Sequence, residues 1–321
     1  MEVFHRFRHE VFTMSAPMLR VATIPLVSLR GDTSRNVGQV ADWLALAARE
    51  QIGLAVFPEA CLVGRGNLAT LHRRELDAQA ESLDGPSVSA VAQAVENTGV
   101  AAGVGLIERS EDGRLFNSYV ICMPDGQRYC HRKLHAFEHR RIECGDRFTV
   151  FDSAWGVRIG ILIGADNYLI ENVRTTALMG ATLLIAPHRR YGKNEPAHWS
   201  SRGLPARADD NGMFVAFSDS VDAAGEHEQR PTQTAMILDP CGRVLAQSAG
   251  ESRAIVCADL DSALIGKSMG RQWLSRRRPS LYGPLIRTSG QASAIAETPG
   301  IRRAGSVAVS FAVVGRERLL R

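Results

Sequence analysis

The chain lacks the devices that would assign it to several functional classes. None of its six cysteines, at 61, 122, 130, 144, 241 and 257, forms a C-x-x-C pair, and their spacing gives no short disulfide framework. Cys122 and Cys257 end apolar, strand-like runs, where free cysteine behaves as a small hydrophobe. The expected setting is a reducing cytoplasm. No apolar run reaches the length of a membrane span. The stretch through Phe12, with His5, Arg6, Arg8, His9 and Glu10, lacks the hydrophobic core of a signal peptide. The nine histidines and the scattered acids show no metal-ligand spacing, and HExxH is absent, so no metal is expected. Gly103-x-Gly105 sits inside strand-like sequence and opens no helix, which excludes a dinucleotide loop. Charge of either sign is in short excess: the formal net charge is +4 and dispersed. Arg276-Arg277-Arg278, the densest basic run, has no interleaved aromatic platform and reads as a solvated or interface face, not a nucleic-acid patch.

What is present is an ordinary globular composition, 45% hydrophobic and 22% charged over 321 residues, enough to bury a sizeable core. Strand-like and helix-like segments alternate. Leu19 to Val27, Gly53 to Phe57, Val100 to Ile107, Phe116 to Cys122, Arg128 to Cys130, Gly156 to Ile163, Thr182 to Ala186, Phe214 to Ser218, Ala235 to Leu238 and Arg253 to Ala258 read as strands. Asn36 to Glu50, Ser87 to Asn97 and Tyr168 to Met179 read as amphipathic helices. Pro124-Asp125-Gly126 and Asp239-Pro240-Cys241-Gly242 are hairpin turns. Mixed βαβ units and hairpins predict an α/β sandwich with sheets inside and helices outside. The expected organisation is an N-terminal extension over 1–18, in which Met14 or Met18 is a candidate start, one domain over 19–287, and a C-terminal arm over 288–321. In that arm Val307 to Val314 is a candidate strand.

Three segments carry the chemistry. Glu59 follows a short apolar strand through Pro58. A carboxylate there is expected to be partly desolvated, which suits a general base near neutrality, although a strand-capping surface acid has the same local pattern. Lys133 lies just after a hairpin in the charged stretch His131 to Arg141. Facing a pocket, its ammonium would stabilise an oxyanion; facing water, it would be one more solvated charge. Gly160 to Arg174 is a strand-to-helix elbow. Such a turn exposes the residue at its apex and aims backbone N–H groups at a bound anion. The apex residue, Gly164, accepts unusual backbone angles but has no heteroatom with which to attack.

Together these segments resemble the nitrilase, or carbon–nitrogen hydrolase, superfamily over about Arg20 to Pro284. In that family the elbow reads Cys-x-Asp-x-x-x-x-Glu-x-x-Arg. Here Gly164 stands at the cysteine, with Asp166, Glu171 and Arg174 in register. Ala177 to Ala181, Leu204 to Gly212 and Met236 to Gly242 resemble later phrases of the family. The resemblance implies a four-layer α-β-β-α sandwich, no cofactor, a small amide, carbamoyl or nitrile-like substrate, and a homodimer formed through a helical face. It matches Glu59 to the general base, Lys133 to the oxyanion-stabilising lysine, Glu138 to a second pocket glutamate and Gly164 to the nucleophile's position. Ala165, Asn167, Tyr168 and His188 are candidate substrate contacts, and His188 to Tyr191 hint at an anionic or polar ligand. Rescue by Cys61 or Cys144 is disfavoured, because neither is on the elbow. Three readings follow: a hydrolase with a natural or introduced glycine, a repurposed enzyme using Glu59 and Lys133 for lyase-, cyclase- or hydratase-type acid/base chemistry, and an inactive binding or scaffold protein.

Overall fold

The computed structural model of the chain describes residues 18–64, 68, 71–189, 199–220, 235–248 and 254–287. The expected N-terminal extension through residue 17, the C-terminal arm with its candidate strand, and Arg190 and Tyr191 lie outside the described residues. Chain contacts divide the protein into a unit over 1–276 and a second over 277–321. Of the second, the described part is two short 3-10 turns, Pro279–Leu281 and Gly283–Ile286, with Arg277 stacked on the Tyr282 ring.

The first unit holds two sheets. In the first, β1 (Leu19–Thr23), β2 (Leu54–Val56) and β3 (Ala101–Arg109) run parallel. β4 (Leu115–Cys122) and β5 (Arg128–Arg132) continue antiparallel from β3, β6 (Ile142–Glu143) pairs with β4, and β13 (Val256–Leu260) closes the other edge against β1. In the second, β8 (Arg158–Ile161), β9 (Leu183–His188) and β10 (Phe214–Asp219) run parallel. They are flanked by antiparallel β7 (Thr149–Asp152) on one side and β11 (Ala235–Leu238) with β12 (Val244–Gln247) on the other.

Strand alternation builds the layers. Val21, Leu54, Val56 and Ile121 face Ile159, Ile161, Leu183, Ile185 and Phe214 across the space between the sheets. Their neighbours Ala22, Ala55, Ala102 and Val120 face outward to α1 (Thr33–Arg49) and α3 (Pro86–Thr98), which contribute Val40, Leu44, Ala47, Val88, Val91 and Val95. On the far side Leu184, Ala186, Val215 and Phe217 meet Val173 and Ala177 of α4 (Ile170–Leu178) and Leu204 and Ala208 of α5 (Trp199–Asn211). This is a four-layer α-β-β-α sandwich. Each large aliphatic side chain buried this way contributes about 1.5–3 kcal/mol, so the period-two and period-3.6 patterns fix both faces. Short helices α2 (Arg73–Gln79), α6 (Ala263–Lys267) and α7 (Met269–Ser275) complete the unit.

The structure differs from the sequence expectations at several boundaries. β1 ends at Thr23 rather than Val27, because Pro25 has no N–H to give a ladder. The last strand begins at Val256, with Ala254 and Ile255 outside it, and Arg253, its expected start, lies outside the described residues. The helix expected from Tyr168 begins as a 3-10 turn over Gly164–Tyr168, and α4 proper starts at Ile170. Asn167 donates to the carbonyls of Leu162 and Gly164, at 2.9 and 3.1 Å, and this holds the tighter turn. Helix α5 escapes the pattern reading because Pro205 stands inside it.

Candidate active site

Three loops, each leaving the end of a strand, converge between the sheets. The first follows β2. Phe57 N–H donates to the Gly103 carbonyl at 3.0 Å and Leu62 N–H to the Gly105 carbonyl at 2.9 Å, which holds the intervening turn against β3. That turn contains Glu59. Its backbone approaches so closely that a Cβ on Gly105 would lie 2.2 Å from Ala60 N, so only glycine fits there. The second loop leaves β5. Lys133 N–H donates to the Asn117 carbonyl at 2.8 Å and so continues the β4–β5 ladder by one residue. The third is the elbow after β8, where Gly164 has φ +50°, the left-handed region that favours glycine.

Glu59, Lys133 and Glu138 form one buried cluster, with no more than 2% of any of the three residues exposed. Lys133 Nζ donates to Glu59 Oε1 at 2.8 Å and makes a close contact with Glu138 Oε1. Asn117 Nδ2 bridges the same two oxygens, at 2.7 and 3.0 Å. Phe137 N–H donates to the other oxygen of Glu138 at 2.9 Å, and the Phe137 ring centroid lies 5.2 Å from Lys133 Nζ. Burial pulls against the Lys133 ammonium, but the charges and hydrogen bonds of the two carboxylates outweigh it and hold its pKa above the ordinary lysine value. Burial pushes the Glu138 carboxyl up, the Glu59 charge adds to this, and the Lys133 charge offsets only part of it. Two carboxylates thus share one ammonium in a desolvated space.

The elbow abuts this cluster. A Cβ built on Gly164 would lie 2.6 Å from Glu59 Oε2 and 3.0 Å from Lys133 Nζ. The position that the resemblance matches to a nucleophile therefore faces the acid and the cation directly. Asp166 bolts the assembly together. Fully buried, it accepts from Leu134 N–H at 3.0 Å and His135 N–H at 2.8 Å, tying the Lys133 loop to the elbow.

The structure brings Glu59, Lys133, Glu138 and Gly164 together. Of the candidate substrate contacts, Ala165 is half-buried beside Gly164, and Asn167 is spent on elbow carbonyls through its amide nitrogen. Tyr168 and His188 meet each other: the hydroxyl lies 3.2 Å from His188 Nε2, and His188 Nδ1 lies 3.3 Å from Asp219 Oδ1, its register partner at the ends of β9 and β10. Cys61 is 1% exposed, its sulfur accepts from Gly105 N–H at 3.3 Å, and burial pushes the thiol up to about 12, so it is an inert core group. Cys144 is exposed, its sulfur 3.7 Å from the Ala136 carbonyl.

Sequence reasoning missed Asn117 and Phe137 and took Asp166 only as a register mark. The available signal for Asn117 was an amide in the middle of β4, a strand buried at every position. A cleft of about 790 Å³ opens beside the cluster, lined by Leu71, His72, Arg73, Phe137, Glu138, His139, Arg140 and Arg141. Among the described residues no group of histidines, cysteines and acids is arranged to hold a metal ion, and no helix is long and apolar enough to cross a membrane.

Known proteins resemble this chain in sequence and fold. The profile of the carbon–nitrogen hydrolase family matches residues 20–268. An (R)-stereoselective amidase of Pseudomonas sp. is 32% identical over 272 residues, covering 83% of this chain and 93% of the amidase. The omega-amidase NIT2-B of Xenopus laevis is 28% identical over 220 residues, covering 63% of this chain and 77% of the relative. A cysteine-to-alanine mutant of the Nesterenkonia AN1 amidase, from the nitrilase superfamily, superposes with a TM-score of 0.69 at 20% identity, over 85% of this chain and 98% of that one. Sequence match, layer order and fold likeness coincide over the same stretch, and the chain belongs to the carbon–nitrogen hydrolase family.

Proposed function

We propose that this chain is an amide-directed carbon–nitrogen hydrolase type protein whose site works without a thiol, through Glu59 and Lys133. The observation that carries the reading is the closeness of the Gly164 apex to both groups, 2.6 Å to Glu59 Oε2 and 3.0 Å to Lys133 Nζ from a built Cβ. A small amide seated at the apex has a base on one side and an ammonium on the other. Glu59 takes a proton from a water molecule, and the water oxygen forms a bond to the amide carbon. The carbonyl electron pair moves to oxygen, where Lys133 stabilises the developing charge. Collapse breaks the C–N bond as Glu59 returns the proton to nitrogen, releasing a carboxylic acid and an amine. Asp166 positions both the Lys133 loop and the elbow. Asn117 and Glu138 position Glu59 and Lys133, and Ala165, Asn167, Tyr168 and His188 remain proposed contacts for the rest of the substrate. The names of two relatives, an (R)-stereoselective amidase and an omega-amidase, support an amide as the substrate.

The test is turnover of a small-amide panel by the protein as it stands and by Gly164→Cys. The expected result is slow, Glu59-dependent hydrolysis by the glycine form. The cysteine variant should run faster and accumulate an acyl adduct visible by mass spectrometry. Neither binding nor turnover of any amide by either form would overturn the reading and leave a scaffold.

The reading extends to a homodimer through the outer α4 layer, supported by the exposure of Leu169, Ile170, Leu178 and Met179. Light scattering after size exclusion should give twice the chain mass, reduced to one chain mass by Ile170→Asp.

A further inference from the structure

One buried titratable group beside the site has no part in the hydrolytic step. His131 of β5 is wholly buried, and its register partner Tyr119 of β4 faces the space between the sheets. Lys133 follows it by two residues and so leaves the segment on the same face. His131 Nδ1 lies 3.2 Å from Thr149 Oγ1 of β7, and that hydroxyl donates to the Cys130 carbonyl at 3.0 Å. A hydroxyl has one hydrogen, so toward His131 it is an acceptor, and Nδ1 carries the ring hydrogen. Nε2 is left facing Asp166 Oδ2 at 3.7 Å, beyond a hydrogen bond but within ion-pair reach, and has no hydrogen-bond partner among the described residues. In the neutral ring, then, a lone pair is turned toward a carboxylate. A second ring hydrogen makes the same contact a charge-assisted one.

Asp166 has use for such a partner. Its side chain is wholly buried, and three backbone N–H groups donate to it: Leu134 and Ile163 to Oδ2 at 3.0 and 3.3 Å, and His135 to Oδ1 at 2.8 Å. Neutral amides satisfy its lone pairs without cancelling its charge. The ammonium of Lys133 is engaged by Glu59 and Glu138. The remaining groups around the imidazole bring no cation. Burial holds the Tyr119 phenol well above its ordinary value, so it stays neutral, and Tyr129, two residues back, stacks on Phe151 of β7. Cys130 and Arg132 turn to the other face, toward Glu108.

We propose that His131 is a further positioning residue of this site: by taking a second ring hydrogen it becomes the counter-ion of Asp166 and locks the Lys133 loop onto the Gly164 elbow. The lock stands on the geometry of His131, Thr149 and Asp166 alone. Its consequence for turnover rests on the reading of the Glu59–Lys133 pocket as an amide site. Histidine ordinarily gains its proton between about pH 5 and 8, so the lock tightens as pH falls through that range.

The test compares the unaltered protein with H131Q, whose side-chain amide offers a donor without a charge, at about pH 5.5 and about pH 8. NMR of the histidine-labelled protein should show, at the lower pH, an imidazole Nε2–H signal in contact with the Leu134 amide hydrogen, which shares Asp166 Oδ2. Hydrogen exchange of the Leu134 and His135 amides, corrected for its intrinsic pH dependence, should be about tenfold slower at the lower pH. In H131Q, which keeps Glu138, His135 and His139 as they are, that difference should vanish. The ratio of kcat for an amide between the unaltered protein and H131Q should rise as pH falls, with KM unchanged. Absence of the Nε2–H contact at the lower pH overturns the proposal, and this reading needs only the unaltered protein should H131Q fail to fold. A protection difference that H131Q reproduces also overturns it, and amide turnover alongside leaves the amide reading standing. Contact and His131-dependent protection with no amide turned over by either form keep the lock and overturn the amide reading.

Discussion

Two ion pairs stand on consecutive residues of one segment and do different things. Arg132, the last residue of β5, pairs with Glu108 of β3: its Nε lies 2.9 Å from one carboxylate oxygen and an Nη 2.5 Å from the other, and Ser118 Oγ donates to the same carboxylate at 2.6 Å. Lys133, one residue on, holds Glu59 and Glu138. The Arg132 pair is one charge to one charge, bidentate, with the arginine side chain 32% exposed and resting on the Phe116 ring. The Lys133 cluster has one cation to two carboxylates, all three side chains at 0% exposure, beside an apex with no side chain. The first is a saturated clamp. The second keeps an excess of negative charge in a desolvated space, the condition in which a carboxylate can take up and return a proton.

The comparison breaks most sharply at the cations. Removing Lys133 leaves two buried carboxylates uncompensated, and Lys133→Ala should lower unfolding free energy by about 3–5 kcal/mol. Water still reaches the Arg132 site, so Arg132→Ala should cost about 1–3 kcal/mol. Urea unfolding of the two variants side by side measures the difference, and equal losses would mean that the cluster is only another clamp. Activity sharpens the contrast at the acids. Glu59→Gln should cut turnover of any amide substrate by about 10²–10⁴-fold, while Glu108→Gln leaves kcat unchanged and lowers only stability. A steady-state assay of the two separates a reacting carboxylate from a structural one.

The smallest effect is in pH dependence. The folded Glu138 carboxyl titrates above its ordinary value of 4.5, so the folded state holds this proton more tightly than the unfolded chain does. Stability from this group is therefore lost as pH rises from 4.5 through the folded value. Glu138→Gln should flatten that fall in a series of denaturant midpoints. Lys133 has the cationic sign: its contribution is full below its ordinary 10.5 and is lost as pH climbs through the raised folded value. A wild-type profile parallel to that of Glu138→Gln between these limits would remove the excess charge from the account.

Much of this was legible without coordinates because it is local. The short continuous apolar runs in Leu54–Val56 and Arg158–Ile161 mark buried strands, and the residues that follow a strand end sit on a loop over the sheet. Glu59, Lys133 and Gly164 could be found that way. Pairing could not. Lys133 sits in a segment whose composition reads as solvated, yet the side chain is buried, because Asp166, thirty-two and thirty-one residues away from the amides it holds, pulls that loop onto the elbow. Asn117 bridges Glu59 from fifty-eight residues away, a distance over which sequence periodicity carries no information.

The sequence by itself determined the layers and the bare apex at Gly164: side-chain period follows from backbone geometry, and a glycine carries no heteroatom in any fold. Only the tertiary structure decided that two carboxylates and one ammonium meet at Gly164, and that Arg140 and Arg141 line the cleft beside them rather than a featureless surface. Charge acts through space and not along the chain, so its meaning waits on the packing that brings distant residues within a few ångströms of one another.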